Sequence, residues 1–415
     1  MRSAVPALAF AMACGRLDFQ ARAIDASASG DATSDAAACA ALVCLDPTFA
    51  SGGVLALSID GVPNGSYGDQ GVAIQPDGRI VIVGKAGTAA SSTALVARVE
   101  ESGVLDPSFG SGGLVELAAG SAQAIAVTVA PDGDIVVGGA ANGAGLLAAL
   151  DATGQVDPAF GVLEPTFGGT LVAINGVAVD TAGRVLAGGQ AAFTDFDLVA
   201  GAWLGSGAAD PAFTPVHYDG GRGDEFGTLA GIAPDGGLDI VGQSYDGSVF
   251  EGLLLHATNE GALDPSFGSG GIARFASGSG ARFLALAREA DARIVVTGQL
   301  DTTGTEALVE RFSASGVVDP AWVTTSIAMH PDDVGRGIVQ LPDGRIVVGV
   351  RGGSASTLVV LDDGSGSVIG SYELPIATSP NGIDDLLVDR DGRVLVFGDA
   401  GSDETEIYLA RVLIP

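Results

Sequence analysis

The three histidines are the side chains best suited to acid–base chemistry near neutral pH, and they are widely separated: His217, His256 and His330. No HExxH, GxSxG, Walker-type loop or spaced Cys/His set accompanies them. His256, inside the apolar run LLLHAT, is interpreted as a packed strand residue, whereas His217 and His330 precede loop residues and are expected to be exposed. The sequence therefore predicts no catalytic motif and no cofactor.

Aspartates offer a second kind of chemistry, the binding of cations. They recur in the turn of a repeat at positions 77, 132, 235, 343 and 391. A calcium site needs about 6–8 oxygen ligands, and one aspartate per repeat does not bring that many together. No EF-hand loop or GGxGxD repeat is present either. The expectation from the sequence is that no metal is bound.

The nearest thing to a cluster of charges comprises Asp384-Asp385, Arg336 and Asp332-Asp333, in two neighbouring repeats. These residues are the best candidates for the acidic site of a hydrolase or lyase. The competing interpretation is that they are solvated loop charges in a chain of net charge −31.

The overall charge excludes one class of partner. Nineteen basic residues face fifty acidic ones, and Lys85 is the only lysine. Nucleic acids and anionic membrane surfaces attract clusters of Lys and Arg, so no nucleic-acid partner is expected. No apolar stretch reaches the roughly 18 residues of a membrane-spanning helix, and membrane contact is expected only through a lipid anchor.

A repeat must position all of these residues. Its clearest copy, residues 73–113, contains AIQPDGRIVIVG, in which a Pro-Asp-Gly turn joins two apolar runs as in a β-hairpin. The run ALVARVE and the segment LDPSFGSGG then lead into LVEL. One unit therefore predicts four short strands.

Seven copies of the hairpin turn follow one another at spacings of 48 to 56 residues. Two of them depart from Pro-Asp-Gly, with TAG at 181–183 and ADA at 290–292. The second motif tracks the first as LDPTF (45–49), LDPSF (105–109), VDPAF (156–160), ADPAF (209–213), LDPSF (263–267), VDPAW (318–322) and the degenerate VIGSY (368–372). The recurring aromatic residue predicts packing between units.

The pairing of QPDGRIVIVG with LVARVEESGVLDPSFGSGG resembles the delta-60-repeat family of bacterial extracellular proteins. The resemblance covers roughly residues 45–415. It implies β-propeller blades, and the family brings no catalytic motif that could be carried over to this chain.

The ends of the repeat region predict how the ring closes. The last unit ends after IYLARV (407–412), without a fourth strand, while LDPTFASGGVLALSI (45–59) is a fourth strand with no blade before it. Exchanging a strand across the seam removes free edges. The predicted fold is all-β, a seven-bladed propeller of four-stranded blades, with the strand at 54–59 pairing beside 407–412 in the C-terminal blade.

By analogy with other propellers, the run before each turn should line the central channel. Alignment on the turn then places five polar residues at one mouth of the channel, alternating with Ile125 and Leu284: Gln70, Asn175, Thr228, Arg336 and Asp384. A polar mouth suits ligand binding, although the start of an inner strand must tolerate solvent in any case.

The N-terminal residues carry an export signature. Residues 1–13 have one Arg, an apolar segment and small residues, as in a secretory signal, and AMAC resembles a lipoprotein cleavage box that would lipidate Cys14. Plain secretion is the alternative. Residues 14–44 are expected to form a flexible tether, with a disulfide between Cys39 and Cys44.

Together these features predict an exported, secreted or surface-tethered protein, a lipoprotein of the cell surface or outer membrane if Cys14 is lipidated. We expect a monomeric, non-catalytic scaffold that binds a carbohydrate, peptide or protein. The alternative function is a hydrolase or lyase at the acidic channel mouth.

Overall fold

The computed structural model describes residues 19–22, 43–59, 64–65, 71–88, 91–221, 223–353, 355–376, 381–400 and 406–414. Throughout these ranges the chain forms strands joined by turns and bends, and contains no helix. Accordingly, no helix in the described part has the length and apolar character needed to cross a membrane.

The strands form seven antiparallel sheets, the blades. Three strands precede the first blade and join the last one: β1 (Phe19–Arg22), β2 (Cys44–Leu45) and β3 (Val54–Ile59). Blade 1 contains β4 (Asn64–Gly65), β5 (Val72–Ile74), β6 (Ile80–Thr88), β7 (Ser91–Val99) and β8 (Leu114–Gly120). Blade 2 contains β9 (Ala122–Val129), β10 (Ile135–Ala141), β11 (Ala144–Leu150) and β12 (Val162–Leu163). Blade 3 contains β13 (Thr170–Val179), β14 (Val185–Ala192), β15 (Phe196–Trp203) and β16 (Val216–Tyr218).

The remaining blades repeat the same order of four strands. Blade 4 contains β17 (Glu225–Ile232), β18 (Leu238–Tyr245), β19 (Phe250–Ala257) and β20 (Ile272–Phe275). Blade 5 contains β21 (Ala281–Arg288), β22 (Ile294–Asp301), β23 (Thr305–Phe312) and β24 (Thr325–Ile327). Blade 6 contains β25 (Val334–Gln340), β26 (Ile346–Gly352), β27 (Ala355–Leu361) and β28 (Val368–Glu373). Blade 7 contains β29 (Asn381–Val388), β30 (Val394–Ala400) and β31 (Glu406–Leu413), completed by β3.

In blade 1, β4 and β5 both pair with β6 and together occupy the position of the innermost, first strand. The innermost strand of each blade contacts that of the next, through β5 in blade 1, and β29 of blade 7 contacts β5. The seven sheets therefore close into a ring around a channel, as the repeat predicts. Each inner strand runs from one face of the ring to the other. We call the face with the Pro-Asp-Gly turns the turn face, and the opposite face, where the inner strands begin, the bulge face.

The predicted exchange of a strand across the seam is confirmed. β3 lies antiparallel to β31, with Leu55 opposite Leu409 and Leu57 opposite Ile407. β1 adds a further strand on the outer side of β3. It falls within the segment expected to be a tether, most of which lies outside the described residues.

The aromatic residue of the second motif packs between blades, as expected. Phe109 is fully buried, and a Cβ on Gly154 of the next blade would lie 2.6 Å from its ring. Gly154 also has a φ of +87°, in the left-handed region that favours glycine. Glycines in the corresponding turns of other blades meet the preceding aromatic residue in the same way, Gly261 with Phe213, Gly316 with Phe267 and Gly366 with Trp322.

An arginine near the end of the third strand holds this motif in blades 1, 5 and 7. In blade 5, Arg311 is 1% exposed, lies 2.9 Å from Asp319 and is 4.6 Å above the ring of Trp322. It also donates to the backbone oxygen of Asp363 in blade 6. The same contacts recur in blade 1 with Arg98, Asp106, Phe109 and Ala152, and across the seam with Arg411, Asp46, Phe49 and Glu101. We call these groups the arginine clamps.

Candidate functional site

The central channel encloses about 660 Å³ and is lined by residues from all seven inner strands. Its wall is mostly Val, Ala, Leu and Ile. The polar side chains on it are Thr128, Thr228, Arg288, Gln340 and Asp385. Any polar recognition is therefore concentrated at the ends of the channel.

A β-bulge marks the inner strand close to the bulge face. In five blades the bulged residue stands seven positions before the middle of the turn: Ile125, Asn175, Leu284, Arg336 and Asp384. Bulges redirect a side chain and interrupt pairing. Three of the predicted mouth residues thus occupy equivalent bulges.

The other two mouth residues differ. Thr228 stands at the same position in blade 4, where the irregularity falls later, between Leu229 and Gly231. Gln70 lies outside the described residues.

A second ring of polar residues was missed in the sequence. It stands on the second strand of each blade, eight positions after the middle of the turn: Lys85, Gln190, Gln243, Gln299, Arg351 and Asp399, with Ala140 in blade 2. A glycine directly precedes this position in every blade except blade 6, where Val350 precedes Arg351. In blade 3 the bulged backbone approaches this glycine closely, so that a Cβ on Gly189 would lie 2.9 Å from the nitrogen of Asn175. In the sequence, this ring could have been found as the polar residue that follows the apolar run after each turn.

In blades 6 and 7, ion pairs connect residues of the second ring with a residue at the bulge. Arg351 lies 3.4 Å from Asp384 and 3.3 Å from Asp399. Asp333 is fully buried, and its Oδ2 accepts hydrogen bonds from the backbone nitrogens of Met329 and His330, the latter at 2.8 Å. Much of the predicted acidic cluster therefore has a structural role.

In blades 3 to 5 the mouth is uncharged. Asn175 donates to Gln190 Oε1 at 3.1 Å and to the backbone oxygen of Gly227 at 3.0 Å. Together with Thr228, Gln243, two phenylalanines and apolar residues, these amides line a pocket of about 140 Å³. Gln243 Oε1 is buried there and has no hydrogen-bond partner in the described part of the chain. We call this the amide pocket.

Three carboxylates from Asp197, Asp219 and Glu225 form a separate group between blades 3 and 4, which we call the interblade carboxylate site. Of the residues that the structure describes, these are the ones close enough to share a metal ion. Burial raises the pKa of Glu225, and the charges of Asp219 and Asp197 raise it further. The turn aspartates considered in the sequence do not belong to this group.

Each histidine is paired with an aspartate. His217, half exposed, lies 2.5 Å from Asp197, and His330 lies 3.4 Å from Asp333. His256 is buried, as predicted, on the turn face between Asp239 at 2.9 Å and Asp235 at 3.1 Å. Burial opposes its charge, but the two aspartates outweigh this effect and raise its pKa.

The predicted N-terminal sites are only partly visible. Cys44 is disulfide-bonded, while Cys39 and Cys14 lie outside the described residues. Pairing of Cys39 with Cys44 and lipidation of Cys14 remain predictions.

Comparison with known proteins supports the fold. Residues 75–109 match a family model described as a domain of unknown function (DUF5122) beta-propeller. A streptogramin B lyase has a TM-score of 0.59 and 13% identity, over 87% of this chain and 97% of that one. The polysaccharide lyase Uly1 has a TM-score of 0.54 and 11% identity, over 84% and 90%. Curated protein sequences give no significant match.

At these identities the likeness to both lyases shows the fold alone. With the seven closed sheets, it defines the class: the chain is a seven-bladed β-propeller.

Proposed function

We propose that the protein binds an uncharged carbohydrate, without turnover, in the amide pocket on the bulge face. The observation that carries this proposal is the convergence of Asn175, Gln190, Thr228 and Gln243 on one small cavity, where the buried Gln243 Oε1 has no hydrogen-bond partner among the residues that the structure describes. A buried acceptor without a donor costs about 1–3 kcal/mol, and a ligand hydroxyl would supply that donor.

The chemistry of the pocket suits a sugar. Amide and hydroxyl side chains both donate and accept hydrogen bonds, as sugar hydroxyls do. Phe226 and Phe283 provide apolar surface for C–H faces, and the volume of about 140 Å³ suits a single ring. Thr228 and Leu284 line both this pocket and the channel, so a longer chain would continue toward the axis.

The competing function, a hydrolase or lyase, is less well supported by the contacts of the charged residues at the channel mouth. Arg351 is shared by Asp384 and Asp399, and Asp333 holds backbone nitrogens. These groups are engaged in the protein's own contacts. The word lyase in the names of the two structural neighbours describes those proteins. At 13% and 11% identity, the likeness is not evidence that this chain catalyses a reaction.

We further propose that the propeller belongs to the delta-60-repeat group, is monomeric and is exported, either secreted or held at the bacterial surface through Cys14. The basis is the apolar segment before Cys14 and the export-compatible disulfide at Cys44. Mass spectrometry of the mature N-terminus tests this, and an intact Met1 on the native protein would contradict it.

The binding proposal is tested by a glycan array, followed by calorimetry with the best neutral glycan. Gln243→Ala should weaken binding at least about tenfold, because a fully buried hydrogen bond is lost. Gln299→Ala is the matched control, since Gln299 has the same position in blade 5 but does not line the pocket. Its affinity should equal that of the wild type.

A panel of hydrolase and lyase substrates is run in parallel. Turnover that disappears in Asp384→Ala and Arg336→Ala would replace the binding function with the enzymatic one. Equal loss of affinity in both glutamine variants would place the ligand elsewhere.

A further inference from the structure

The interblade carboxylate site concentrates negative charge on the bulge face. Asp197 lies near the start of β15, Asp219 follows β16, and Glu225 begins β17 of the next blade. One oxygen of each lies within 4.8 Å of the other two. In the part of the chain that the structure describes, no arginine or lysine pairs with any of the three, and His217 pairs with Asp197 alone.

A second observation points to a missing ligand. Asp197 is 3% exposed, and its Oδ1 is buried without a hydrogen-bond partner among the described residues. A buried carboxylate oxygen that lacks a donor is costly. Its other oxygen, Oδ2, is held by His217 at 2.5 Å, and the His217 ring is stacked on Phe193 at 4.4 Å. This arrangement fixes the orientation of Asp197 and leaves Oδ1 available.

We propose that the interblade carboxylate site binds one divalent cation of the calcium type. Two oxygens on opposite sides of Ca²⁺ are about 4.6–5.2 Å apart, because each Ca–O distance is about 2.3–2.6 Å. The three carboxylates fit within that limit as they stand. Mg²⁺ requires oxygens at about 2.0–2.1 Å in near-ideal octahedral geometry, and is the poorer match.

The remaining contacts of Glu225 are compatible with this role. Its Oε1 accepts from Ser244 Oγ at 2.7 Å, and its Oε2 accepts from the backbone nitrogen of Gly220 at 3.0 Å. Each carboxylate oxygen keeps a second lone pair for an ion. Since Asp197 and Asp219 belong to blade 3 and Glu225 to blade 4, the ion would link the two blades. The same two blades contribute most of the amide pocket.

The test is calorimetric titration of the EDTA-treated full-length protein with CaCl₂, accompanied by thermal melting. We expect one Ca²⁺ per chain and a higher melting temperature, since an ion that binds only the folded state stabilises it. Asp197→Asn and Glu225→Gln should each lower Ca²⁺ affinity about 100-fold or more, and MgCl₂ should bind much more weakly than CaCl₂. Glu260→Gln removes the same charge from an exposed site on the turn face of blade 4, and should bind Ca²⁺ like the wild type.

The proposal is overturned if the wild type shows neither binding nor a melting shift up to about 10 mM CaCl₂, which is above the range of weak extracellular sites. Unchanged affinity in Asp197→Asn would also overturn it. If both variants fail to fold, Tb³⁺ luminescence of the wild type decides. Emission that saturates at one ion per chain and is displaced by Ca²⁺ supports the site, and any other behaviour rejects it.

Discussion

Buried carboxylates on the two faces of the ring differ in how closely arginines approach them. On the turn face, the buried carboxylates Asp46, Asp106, Asp239 and Glu289 each lie 2.5–2.9 Å from an arginine. On the bulge face, Arg351 is shared at 3.3–3.4 Å by two aspartates, and Glu225 has no cationic partner in the described chain.

This difference separates stability from function within one repeat. The arginine clamps join blades 1, 5 and 7 each to the following blade through a buried ion pair and a backbone hydrogen bond. On the bulge face, Asp197 Oδ1 and Gln243 Oε1 are buried without a hydrogen-bond partner among the residues that the structure describes. The oxygens of Glu289 on the turn face also lack hydrogen bonds there, but they lie at ion-pair distance from Arg293 and Arg311. Natural proteins tolerate such local cost mainly where a site requires it. The comparison predicts that truncating a clamp arginine on the turn face is costly, whereas replacing the amide of Gln243 on the bulge face is nearly neutral.

The largest effect is expected from Arg311→Ala on the turn face. It removes the fully buried cation from Asp319 and Glu289, which keep only the partly exposed Arg293, and it removes the contact with Trp322. Breaking a buried ion pair costs about 3–5 kcal/mol of unfolding free energy, measurable by denaturant titration. Arg345→Ala, at a partly exposed pair with Asp343, should cost no more than about 1 kcal/mol. Equal losses would mean that the clamps have no special role.

Next comes Gly316→Ala in the packing between blades 5 and 4. A Cβ would lie 2.7 Å from the ring of Phe267, and the residue has a φ of +73°. Steric overlap and backbone strain together should cost about 2–4 kcal/mol. Gly270→Ala is the control, because Gly270 has a φ of +68° and an added Cβ would have no described atom within 4 Å. This control should lose only the smaller backbone contribution, and chemical denaturation of the pair measures the difference.

A smaller effect concerns the pH dependence of stability at His256. The pKa of this histidine is raised in the folded protein, because Asp239 and Asp235 outweigh burial. The folded state then binds the proton more tightly than the unfolded chain, so the stabilisation is complete below about pH 6.5 and is lost as the pH rises through the folded pKa. Melting curves from pH 6 to 9 should show this loss in the wild type, whereas His256→Gln should lack it. An identical slope in the variant would refute the assignment.

The smallest change in stability is expected on the bulge face, from Gln243→Leu. The substitution removes the unpaired oxygen from the amide pocket and keeps the side-chain volume similar, so unfolding free energy should stay within about 0.5 kcal/mol of the wild type or rise. Denaturant titration measures it. A loss above about 2 kcal/mol would show that Gln243 supports the fold, and the contrast between the faces would fail.

Much of the fold could be predicted from the sequence, because each repeat contains the motifs of one blade. The recurring turn and the aromatic motif predicted seven blades, and LDPTF with no blade before it predicted the pairing of β3 with β31. Alignment on the turn also found the positions of Asn175, Arg336 and Asp384. Their register follows from the hairpin, which is a local feature.

The chemistry of the bulge face was less accessible, because it depends on contacts between elements. Arg351 reaches Asp384 and Asp399 from the second strand of the preceding blade. The interblade carboxylate site joins residues of two blades, and none of them belongs to either recurring motif. Only the packing of one blade on the next brings such residues together.

The seam has a consequence for biogenesis. β3 ends at Ile59, yet its partner β31 begins at Glu406, and Arg411 reaches back 365 positions to Asp46. A ribosome adding roughly 5–20 residues per second needs about 20–70 s to make the intervening chain. β3 is therefore synthesised long before its partner β31, and the propeller ring cannot close during synthesis until the last blade emerges.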